Sequence, residues 1–391
     1  MITVTLAPGK EKRVNAGHPW IYRSEIARVE GEPAPGAVAA VVDHRGKFLG
    51  QAMVNLRSQI AARLLSRAEQ PIDAAFVERR IREALARAGR SATGPGACRL
   101  VFGEGDQMPG LIADRYGDLV VIQVLTAGME RLRDHVLGAL RRVVEPRAIY
   151  ERSDASARKL EGLELRKGFA WGTGETGVWI REDDLAFFVE VAAGQKTGFF
   201  LDQRDNRRVV KRLARGRDVL DCFCYSGGFS VSAGAGGAAS VRGVDISTEA
   251  LSWAERSAAE NGVGSSCKFV CANAFDYLRA LGRDGRRFGM AILDPPAFTK
   301  GREALPGALR GYNEINLRAM KLLDRGGILV TCSCSYHVDA ATFLDMLRSA
   351  ATDARREFRL LDFRTQAADH PILLAAKETQ YLKCAILEAV N

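Results

Sequence analysis

The pattern of apolar and polar positions divides the chain into three parts. From residue 1 to about 70, short apolar runs alternate with turns rich in glycine and proline, which predicts a small β-barrel domain. From about 73 to 180, amphipathic helical stretches and several strand patterns predict a small central α/β domain. From about 190 to 391, strand and helix patterns alternate, which is typical of a doubly wound parallel sheet.

The third part has the most regular alternation. It predicts five strands, at Asp218–Phe223, Ser240–Ile246, Lys268–Ala272, Met290–Asp294 and Ile328–Cys332. It predicts helices at Thr248–Asn261, Ala274–Leu281, Tyr312–Leu323 and Asp339–Ala350. Two further strand patterns, Phe358–Phe363 and Gln380–Glu388, have no helix between them, so we expect them to pair antiparallel. In the central part, one helix is predicted to begin at Pro71, and Gly89 followed by Thr93–Gly96 closes it. A second helix is predicted over Met129–Val144.

The composition agrees with a folded protein. Hydrophobic residues make up 47% and charged residues 26% of the 391 positions, which excludes a disordered or fibrous chain. The first seventy residues hold ten Lys and Arg against six Asp and Glu, and this basic excess favours a module that binds a polyanion. Because we find no leader-like pattern near residue 1 and no run of about 18 apolar residues, we expect no signal peptide, no membrane partner and a cytoplasmic location.

Eight cysteines raise the question of disulfides or a metal site. A chain of this length without a secretory signal does not need disulfides, so we interpret the cysteines as thiols. The close pairs are Cys222 with Cys224, Cys267 with Cys271, and Cys332 with Cys334. Their spacing differs from the C-x-x-C of zinc ribbons, so we expect no metal site.

A polar turn follows the first predicted strand of the third part. Asp221 lies near the carboxyl end of that strand, and the turn contains Tyr225 and Gly227. The second strand ends in Asp245 and Ile246, where a carboxylate can accept hydrogen bonds from two ribose hydroxyls. The turn has neither G-x-G-x-x-G nor a Walker lysine, so phosphate binding is weakly supported. Two acidic strand ends and a glycine turn fit S-adenosylmethionine (SAM), which is cationic and has no phosphate.

Each of these residues also has a structural interpretation. Asp245 could cap the following helix, and Asp221 could be a turn residue at a strand end. Asn273, at the end of the third strand, could bond the adenine edge or cap the next helix, and the sequence favours neither. We count Asp294, at the end of the fourth strand, with the cofactor-binding candidates as well.

Two polar segments follow the fourth and fifth strands. Asp294 opens the sequence Asp-Pro-Pro-Ala-Phe, and Cys334 lies in Ser-Cys-Ser. These strands are neighbours in a doubly wound sheet, so we expect the carboxylate and the thiol to face one pocket. A thiol there favours covalent catalysis at a pyrimidine, because C5 of cytosine or uracil is a poor nucleophile until a group adds at C6. In this hypothesis Cys334 attacks C6, and Asp294 binds the N3 and amino edge of cytosine.

Other interpretations of these segments stay open. Asp-Pro-Pro also fits methyltransferases that act on amino groups, but in those an aromatic residue follows the prolines directly. Here Ala297 occupies that place and Phe298 comes one residue later. Cys334 could be a buried small residue, as could Cys332, which strand alternation places on the same side.

Further runs of residues carry a resemblance to a known family. Near the start they are Leu6, Pro8, Gly9, Lys10, Arg13, Gly17, His18, Pro19, Trp20, Ile21 and Ser24–Ile26. Before the first strand of the third part they are Gly198–Arg204, Asn206 and Arg207. With the Asp294-Pro-Pro and Ser333–Ser335 segments, they make nearly the whole chain resemble the RlmI-like family of bacterial 23S ribosomal RNA cytosine-C5 methyltransferases.

The resemblance implies a Rossmann-like, seven-stranded class I methyltransferase sheet, an N-terminal PUA-like β barrel and a small central α/β domain. It implies SAM as the cofactor, ribosomal RNA as the partner, and Cys334 as the nucleophile in forming 5-methylcytosine. In the PUA-like domain it indicates Lys10, Arg13, His18 and Trp20 as RNA-binding residues.

The chain departs from the family pattern at one place. Many cytosine-C5 RNA methyltransferases have a second, product-releasing cysteine after the fourth strand, where this chain has Ala297 and Phe298. Either Cys332 assists release, or release needs only one thiol. Two other functions remain open, namely methylation at another position such as a guanine amine, and a non-catalytic RNA-binding role in ribosome assembly. A homodimer is left open too.

Overall fold

The computed structural model describes residues 2–87, 94, 96–299 and 301–391, which form two compact units. The first unit consists of Met1–Ile180, Glu190–Phe199 and Ala368–Thr379. The second unit consists of Arg181–Val189, Phe200–Ala367 and Gln380–Asn391. Over the described part of the chain, none of the helices has the length and apolar character needed to span a membrane.

The first unit starts with a six-stranded mixed sheet. Its strands are β1 (Thr3–Leu6), β2 (Trp20–Ile21), β3 (Ile26–Glu30), β4 (Ala37–Val42), β5 (Phe48–Val54) and β6 (Ala62–Ser66), and the helix between β1 and β2 is α1 (Glu11–Asn15). The strand order is β2-β6-β5-β4-β1-β3. Alternate apolar side chains, among them Val4, Leu6 and Val41, are fully buried. The predicted PUA-like β domain is therefore present. Among its described residues, β2 and β3 are the strands at the two edges of the sheet.

The first unit contains a second sheet, which follows α2 (Ala74–Ala86). Its strands are β7 (Ala97–Phe102), β8 (Leu111–Tyr116), β9 (Leu119–Val124), β10 (Ala148–Ser153) and β11 (Arg166–Trp171), in the order β11-β10-β9-β8-β7. Its other helices are α3 (Ala127–Arg131), α4 (Arg133–Val144) and α5 (Ala157–Leu160). One helix is predicted over Met129–Val144, but Leu132 (φ −91°, ψ 1°) leaves helical geometry and divides it. The predicted closing segment of α2, Gly89 and Thr93–Gly96, lies largely outside the described residues.

The second unit contains a seven-stranded sheet. The chain first forms a two-stranded sheet of β12 (Gly177–Glu182) and β13 (Leu185–Glu190). The large sheet consists of β14 (Asp218–Cys222), β15 (Ser240–Asp245), β16 (Cys267–Cys271), β17 (Phe288–Leu293), β18 (Leu323–Ser333), β19 (Phe358–Arg364) and β20 (Lys383–Ala389). Its order is β16-β15-β14-β17-β18-β20-β19, with the first five strands parallel and β20 antiparallel to both neighbours. This is the predicted seven-stranded class I methyltransferase sheet, and the tail strands pair antiparallel as expected.

The helices of the second unit include two that the sequence does not predict. They are α6 (Arg204–Leu213), α7 (Gly228–Ala235), α8 (Thr248–Glu260), α9 (Ala274–Arg283), α10 (Leu305–Leu322) and α11 (Ala340–Ala354). Helix α6 is mostly charged, and Val209, Val210 and Leu213 are its only apolar residues, so its buried face is short. Helix α7 consists of small and apolar residues that are nearly all buried, so it shows no apolar stripe of helical period. Helix α10 begins before the predicted Tyr312, because Pro306 lies in its first turn, where helices accept proline.

The order of the strands places the ligand site. From β14 the chain passes to β15 and β16 on one side, and then returns to β17 and β18 on the other. In open α/β sheets, ligands bind at the carboxyl ends of the strands where the order reverses. Fully buried side chains such as Leu220, Val244 and Leu293 hold these strand ends in the core. The loops after β14, β15, β17 and β18 therefore form the candidate site.

Candidate active site

The turn after β14 has an unusual backbone. Phe223 (φ 65°), Tyr225 (φ 48°) and Gly227 (φ 78°) all lie in the left-handed region, which residues with a Cβ rarely adopt. A Cβ at Gly227 would lie 2.7 Å from the Cβ of Ala254, so the turn needs glycine there. Strained backbone of this kind is concentrated at ligand sites. The turn is therefore shaped for close approach of a ligand to the backbone.

Asp221 places a buried carboxyl under this turn. Its side chain is fully buried, and Oδ2 accepts a hydrogen bond from the Ser230 hydroxyl at 2.6 Å. Oδ1 is buried with no hydrogen-bond partner. Burial raises the pKa of Asp221 to about 7. A buried acceptor without a partner costs stability, and a cationic group bound in the pocket would offset that cost.

Asp245 is fixed by the backbone at the end of β15. Its Oδ2 accepts the N–H of Tyr225 at 2.8 Å, and its Oδ1 accepts the N–H of Ser247 at 3.0 Å. The cap of α8 is Ser247, whose hydroxyl oxygen accepts the N–H of Ala250 at 3.1 Å, so Asp245 is not the cap. Both carboxylate oxygens keep acceptor capacity for hydroxyl groups. The adjacent Ile246 is 73% exposed, and its apolar surface suits contact with a flat ring.

Asn273 is a helix cap. Its Oδ1 accepts the N–H of Phe275 at 2.9 Å at the start of α9. The side chain is exposed, and the amide N–H₂ takes no part in the cap. The structure therefore shows Asn273 as the cap of α9, and its contact with adenine stays a prediction.

Asp294 and Cys334 follow neighbouring strands, because β17 and β18 pair in parallel. Oδ1 of Asp294 accepts a hydrogen bond from Nε2 of Gln203 at 3.0 Å. Besides burial, the negative charge of Asp294 is a cause of the raised pKa of Asp221. The buried carboxyl of Asp221 and the carboxyl of Asp294 therefore share one edge of the sheet.

The two cysteines near the end of β18 have different surroundings. Cys332 is fully buried opposite Cys384 of β20. A hydrogen bond with the Cys384 thiol, together with burial, raises the pKa of Cys332 well above the ordinary thiol value. Cys334 lies just past the end of β18 and is half-buried. Of the two, Cys334 is the one that a substrate can reach.

A buried lysine supports the loop that carries Cys334. Nζ of Lys383 donates hydrogen bonds to the carbonyl oxygens of Ser335 and Tyr381, each at 2.8 Å. Burial lowers the pKa of Lys383 to about 8, and negative charge at Cys334 opposes that shift. The Tyr312 hydroxyl lies 2.9 Å from Oγ of Ser335 and holds the loop from α10. The loop is therefore braced, and a cation lies within electrostatic reach of the Cys334 thiol.

The aromatic residue after the two prolines has a packing role. The ring of Phe298 lies against Tyr312 and Phe275, with ring centroids 4.6 and 6.0 Å apart. Phe298 packs against the core cluster of the second unit through these contacts. Packing therefore explains why an aromatic residue stands at this position, and no contact with a substrate base is needed to explain it.

The four RNA-binding candidates lie at the start of the first unit. Lys10 is exposed. Arg13 donates to the Trp20 carbonyl oxygen at 2.7 Å and forms an ion pair with Glu25 at 2.9 Å. His18 is 5% exposed, and its Nδ1 accepts the N–H of Trp20 at 3.1 Å. These contacts give Arg13, His18 and Trp20 a structural role, and RNA binding by all four stays a prediction.

Two family models match the chain. The model of a PUA-like domain matches residues 4–67, and the model of S-adenosylmethionine-dependent methyltransferases matches residues 99–372. Ribosomal RNA large subunit methyltransferase I of Erwinia tasmaniensis is 40% identical over 387 residues, which cover 98% of each chain. The protein of that name from Tolumonas auensis is 41% identical over 396 residues, which cover 99% of each chain.

Solved structures share the fold. A Streptococcus mutans protein described as a SAM-dependent methyltransferase aligns with a TM-score of 0.85 and 20% identity, over 99% of this chain and 100% of that chain. A structure described as a methyltransferase complexed with S-adenosylhomocysteine aligns with the same TM-score, identity and coverage. At this level of identity the likeness concerns the fold.

Proposed function

The chain belongs to the S-adenosylmethionine-dependent methyltransferase family, and from that premise we propose that it methylates C5 of a cytosine in large-subunit (23S) ribosomal RNA. SAM is its methyl donor. The observation that carries the proposal is a reachable thiol, Cys334, which follows β18, the neighbour of the strand β17 that precedes Asp294. In this proposal Cys334 is the nucleophile and Asp294 binds the base.

The choice of RNA rests on the relatives and on the first domain. Curated relatives at about 40% identity over nearly the whole chain are named for ribosomal RNA of the large subunit. The PUA-like domain at residues 4–67 coincides with the basic excess of the first seventy residues, which suits a polyanion. A cytoplasmic location goes with this substrate, whereas dimer formation is left open.

The turn after β14 fits SAM without a phosphate-binding element. We assign the ammonium group to Asp221, whose Oδ1 has no partner, and the ribose hydroxyls to Asp245. Ile246 offers the apolar contact for adenine, with Asn273 at its edge, and Gly227 allows close approach to the backbone. When bound, SAM supplies an electrophilic methyl group.

The proposed residue roles account for each bond change at the base. The Cys334 thiolate forms a bond to C6 of cytosine while Asp294 holds the N3 and amino edge, and the electron pair of the C5–C6 double bond becomes nucleophilic at C5. C5 then takes the methyl group, with S-adenosylhomocysteine as the by-product. A base removes the C5 proton, the C5–C6 double bond re-forms, and the C6–S bond breaks to return its electron pair to Cys334.

The identity of the modified base is the first test. Large-subunit ribosomal RNA treated with the enzyme and labelled SAM should yield labelled 5-methylcytidine on nucleoside mass analysis. Label in an N-methylated guanosine would replace the proposal with amine methylation, and no label in RNA with SAM bound would favour a non-catalytic assembly factor.

SAM affinity should increase as pH rises through about 7. Burial raises the pKa of Asp221 to about 7, so this carboxyl is mainly neutral at pH 6 and mainly charged at pH 7.5. Only the charged form attracts an ammonium group, so calorimetry should show about eightfold tighter binding at the higher pH. Asp221→Asn should bind weakly with no such dependence. A wild-type affinity that is equal at both pH values would contradict the assignment.

Replacing Lys383 with methionine should slow alkylation of Cys334 by iodoacetamide about fivefold at neutral pH, because the buried cation favours the thiolate. Peptide mass analysis measures the rate at Cys334 itself. The rates of wild type and variant should converge at high pH, where the thiol ionises without help. Ser335→Ala, which removes the contact with Tyr312 but keeps the cation, serves as the control for loop distortion. Identical pH profiles for wild type and Lys383→Met would exclude the electrostatic role.

A further inference from the structure

Four side chains of the second unit form a continuous hydrogen-bond chain that ends on Asp294. Nε of Arg364 donates to Oδ1 of Asn206 at 3.0 Å. Nδ2 of Asn206 donates to Oε1 of Gln203 at 2.6 Å. Nε2 of Gln203 donates to Oδ1 of Asp294 at 3.0 Å. Asn206 is 1% and Gln203 is 2% exposed, so water does not compete for these bonds. We call this chain of residues the relay.

The relay has only one direction. Arginine carries donors and no acceptor, so it fixes the oxygen of the Asn206 amide toward Arg364. The Asn206 N–H₂ group must then meet the oxygen of the Gln203 amide, which turns the Gln203 N–H₂ group toward Asp294. Flipping either amide would place donor against donor or acceptor against acceptor. The relay therefore always delivers an N–H to Oδ1 of Asp294.

Contacts at both ends keep the relay in place. Nη1 of Arg364 pairs with Oδ2 of Asp362 at 3.0 Å on β19. The Gln203 amide also hydrogen-bonds the buried Cys332 thiol, and this bond partly offsets the raised pKa of Cys332. Gln203 thus contacts Asp294, which follows β17, and Cys332, which lies near the end of β18. Gln203 and Asn206 belong to the residues before β14 that carry the family resemblance, and the sequence analysis assigns no function to either of them.

We propose that the relay holds Asp294 as a hydrogen-bond acceptor and so selects a substrate base with an exocyclic amino group over its keto counterpart, cytosine over uracil. The inference rests on the proposed function. An N–H donated to a carboxyl oxygen favours the charged, acceptor form of that group. A carboxylate accepts from the N4 amino group of cytosine, and also from N3 once that atom is protonated in the C6 adduct, so cytosine then presents two donors. Uracil presents its N3–H beside the O4 atom, which would place acceptor against acceptor. Gln203 and Asn206 are positioning residues in this scheme, because they act through Asp294.

Asn206→Asp reverses the relay by exchanging one amide nitrogen for an oxygen. The new carboxylate still accepts from Arg364, but its second oxygen meets Oε1 of Gln203 and forces that amide to flip. The Gln203 oxygen then faces Asp294, which must take up a proton to satisfy it. The charge of Asp294 acts on the pKa of Asp221 on β14 and of Cys332 on β18, and Cys334 follows β18. None of these three groups is altered by the substitution.

The experiment measures kcat/KM against pH for wild type and Asn206→Asp, on a transcript with the mapped target cytosine and on the same transcript with uracil there. Wild type should form 5-methylcytidine and prefer cytosine by about 10- to 100-fold. In Asn206→Asp the preference should fall to within about threefold, and the acidic limb of the pH profile should move up by about one unit. SAM affinity should be unchanged. Asp362→Asn, which alters the support of Arg364 but not the direction of the relay, serves as the matched control.

The outcomes separate the two claims. Wild-type enzyme that forms no 5-methylcytidine overturns the proposed function and the inference with it. Wild-type enzyme that forms 5-methylcytidine, with an Asn206→Asp variant that keeps the wild-type preference and pH profile, overturns the relay alone. If Asn206→Asp does not fold, Gln203→Glu keeps the bond from Asn206 and turns a second oxygen toward Asp294, so the same shift and the same loss of preference are expected. Their absence in that variant would equally overturn the relay.

Discussion

Replacing Cys334 with alanine should abolish methyl transfer, with a loss of at least about 1,000-fold in kcat/KM. The proposed reaction needs a thiolate that adds to C6, and no other described thiol follows the strand beside Asp294 with access to solvent. SAM affinity and Tm should stay close to wild type, because the half-buried Cys334 lies outside the turn after β14. The measurement is single-turnover methyl transfer to ribosomal RNA, with calorimetry for SAM.

Cys332→Ala is the matched control for this prediction. Cys332 is fully buried and hydrogen-bonded to the Cys384 thiol, so its removal leaves a small cavity but takes no reachable thiol from the site. We expect the variant to lose stability and to retain methyl transfer within about tenfold. If Cys332→Ala were inactive and Cys334→Ala active, the assignment of the two thiols would be reversed. Near wild-type activity in Cys334→Ala would exclude the covalent mechanism.

Replacing Asp245 with alanine should weaken SAM binding by at least about 100-fold. The variant loses two charge-assisted hydrogen bonds to the ribose, each worth about 1.5–3 kcal/mol. Since every 1.4 kcal/mol is about a factor of ten in affinity, even the lower figure gives this effect. Calorimetry on the purified full chain measures it directly.

Asp245 also binds two backbone N–H groups, so its loss could act through the local backbone. Ser247→Ala controls for this possibility, because it loosens the start of α8 at a cost of about 1 kcal/mol but leaves the carboxylate in place. SAM affinity should change less than about threefold in Ser247→Ala. A similar loss of affinity in both variants would assign the effect to the backbone rather than to a bond with ribose.

The large sheet could be predicted from sequence because its strands follow a simple rule. Parallel strands buried on both faces are continuous apolar runs, as in Met290–Leu293, and turns end them visibly. Helix α6 was not predicted because only three of its ten residues are apolar, and helix α7 could not be predicted because a nearly fully buried helix of small and apolar residues lacks an amphipathic period. The return of Ala368–Thr379 to the first unit could not be predicted either, since that segment carries no pattern of its own.

In the candidate site, too, some residues could be predicted from the sequence and others could not. Asp221, Asp245, Asp294 and Cys334 could be identified as candidates because they stand at strand ends, where the position along the chain already indicates the position in the sheet. Gln203 lies far from Asp294 in sequence, and their contact depends on how α6 meets the sheet. The only signal for it was the family resemblance of the run from Gly198 to Arg207.

Contacts across elements also decide between roles that one residue type can play. Asn273 fits a cap and an adenine contact equally well in sequence, and the cap is visible only from the N–H of Phe275. Lys383 carries no motif, and its link to the Cys334 loop arises from the antiparallel pairing of β20 with β18. Side-chain partners of this kind are set by tertiary packing, which periodicity does not encode.

The most direct test of the proposed chemistry uses a transcript that the enzyme methylates, prepared with 5-fluorocytidine in place of cytidine. Fluorine at C5 leaves no proton to remove after methyl transfer, so the C6–S bond cannot break and the complex is trapped. Digestion and mass analysis should find methylated fluorocytidine attached to the peptide that contains Cys334, and Cys334→Ala should give no adduct. Efficient methylation of the unmodified transcript with no adduct on the fluorinated one, or an adduct on Cys332, would contradict the account.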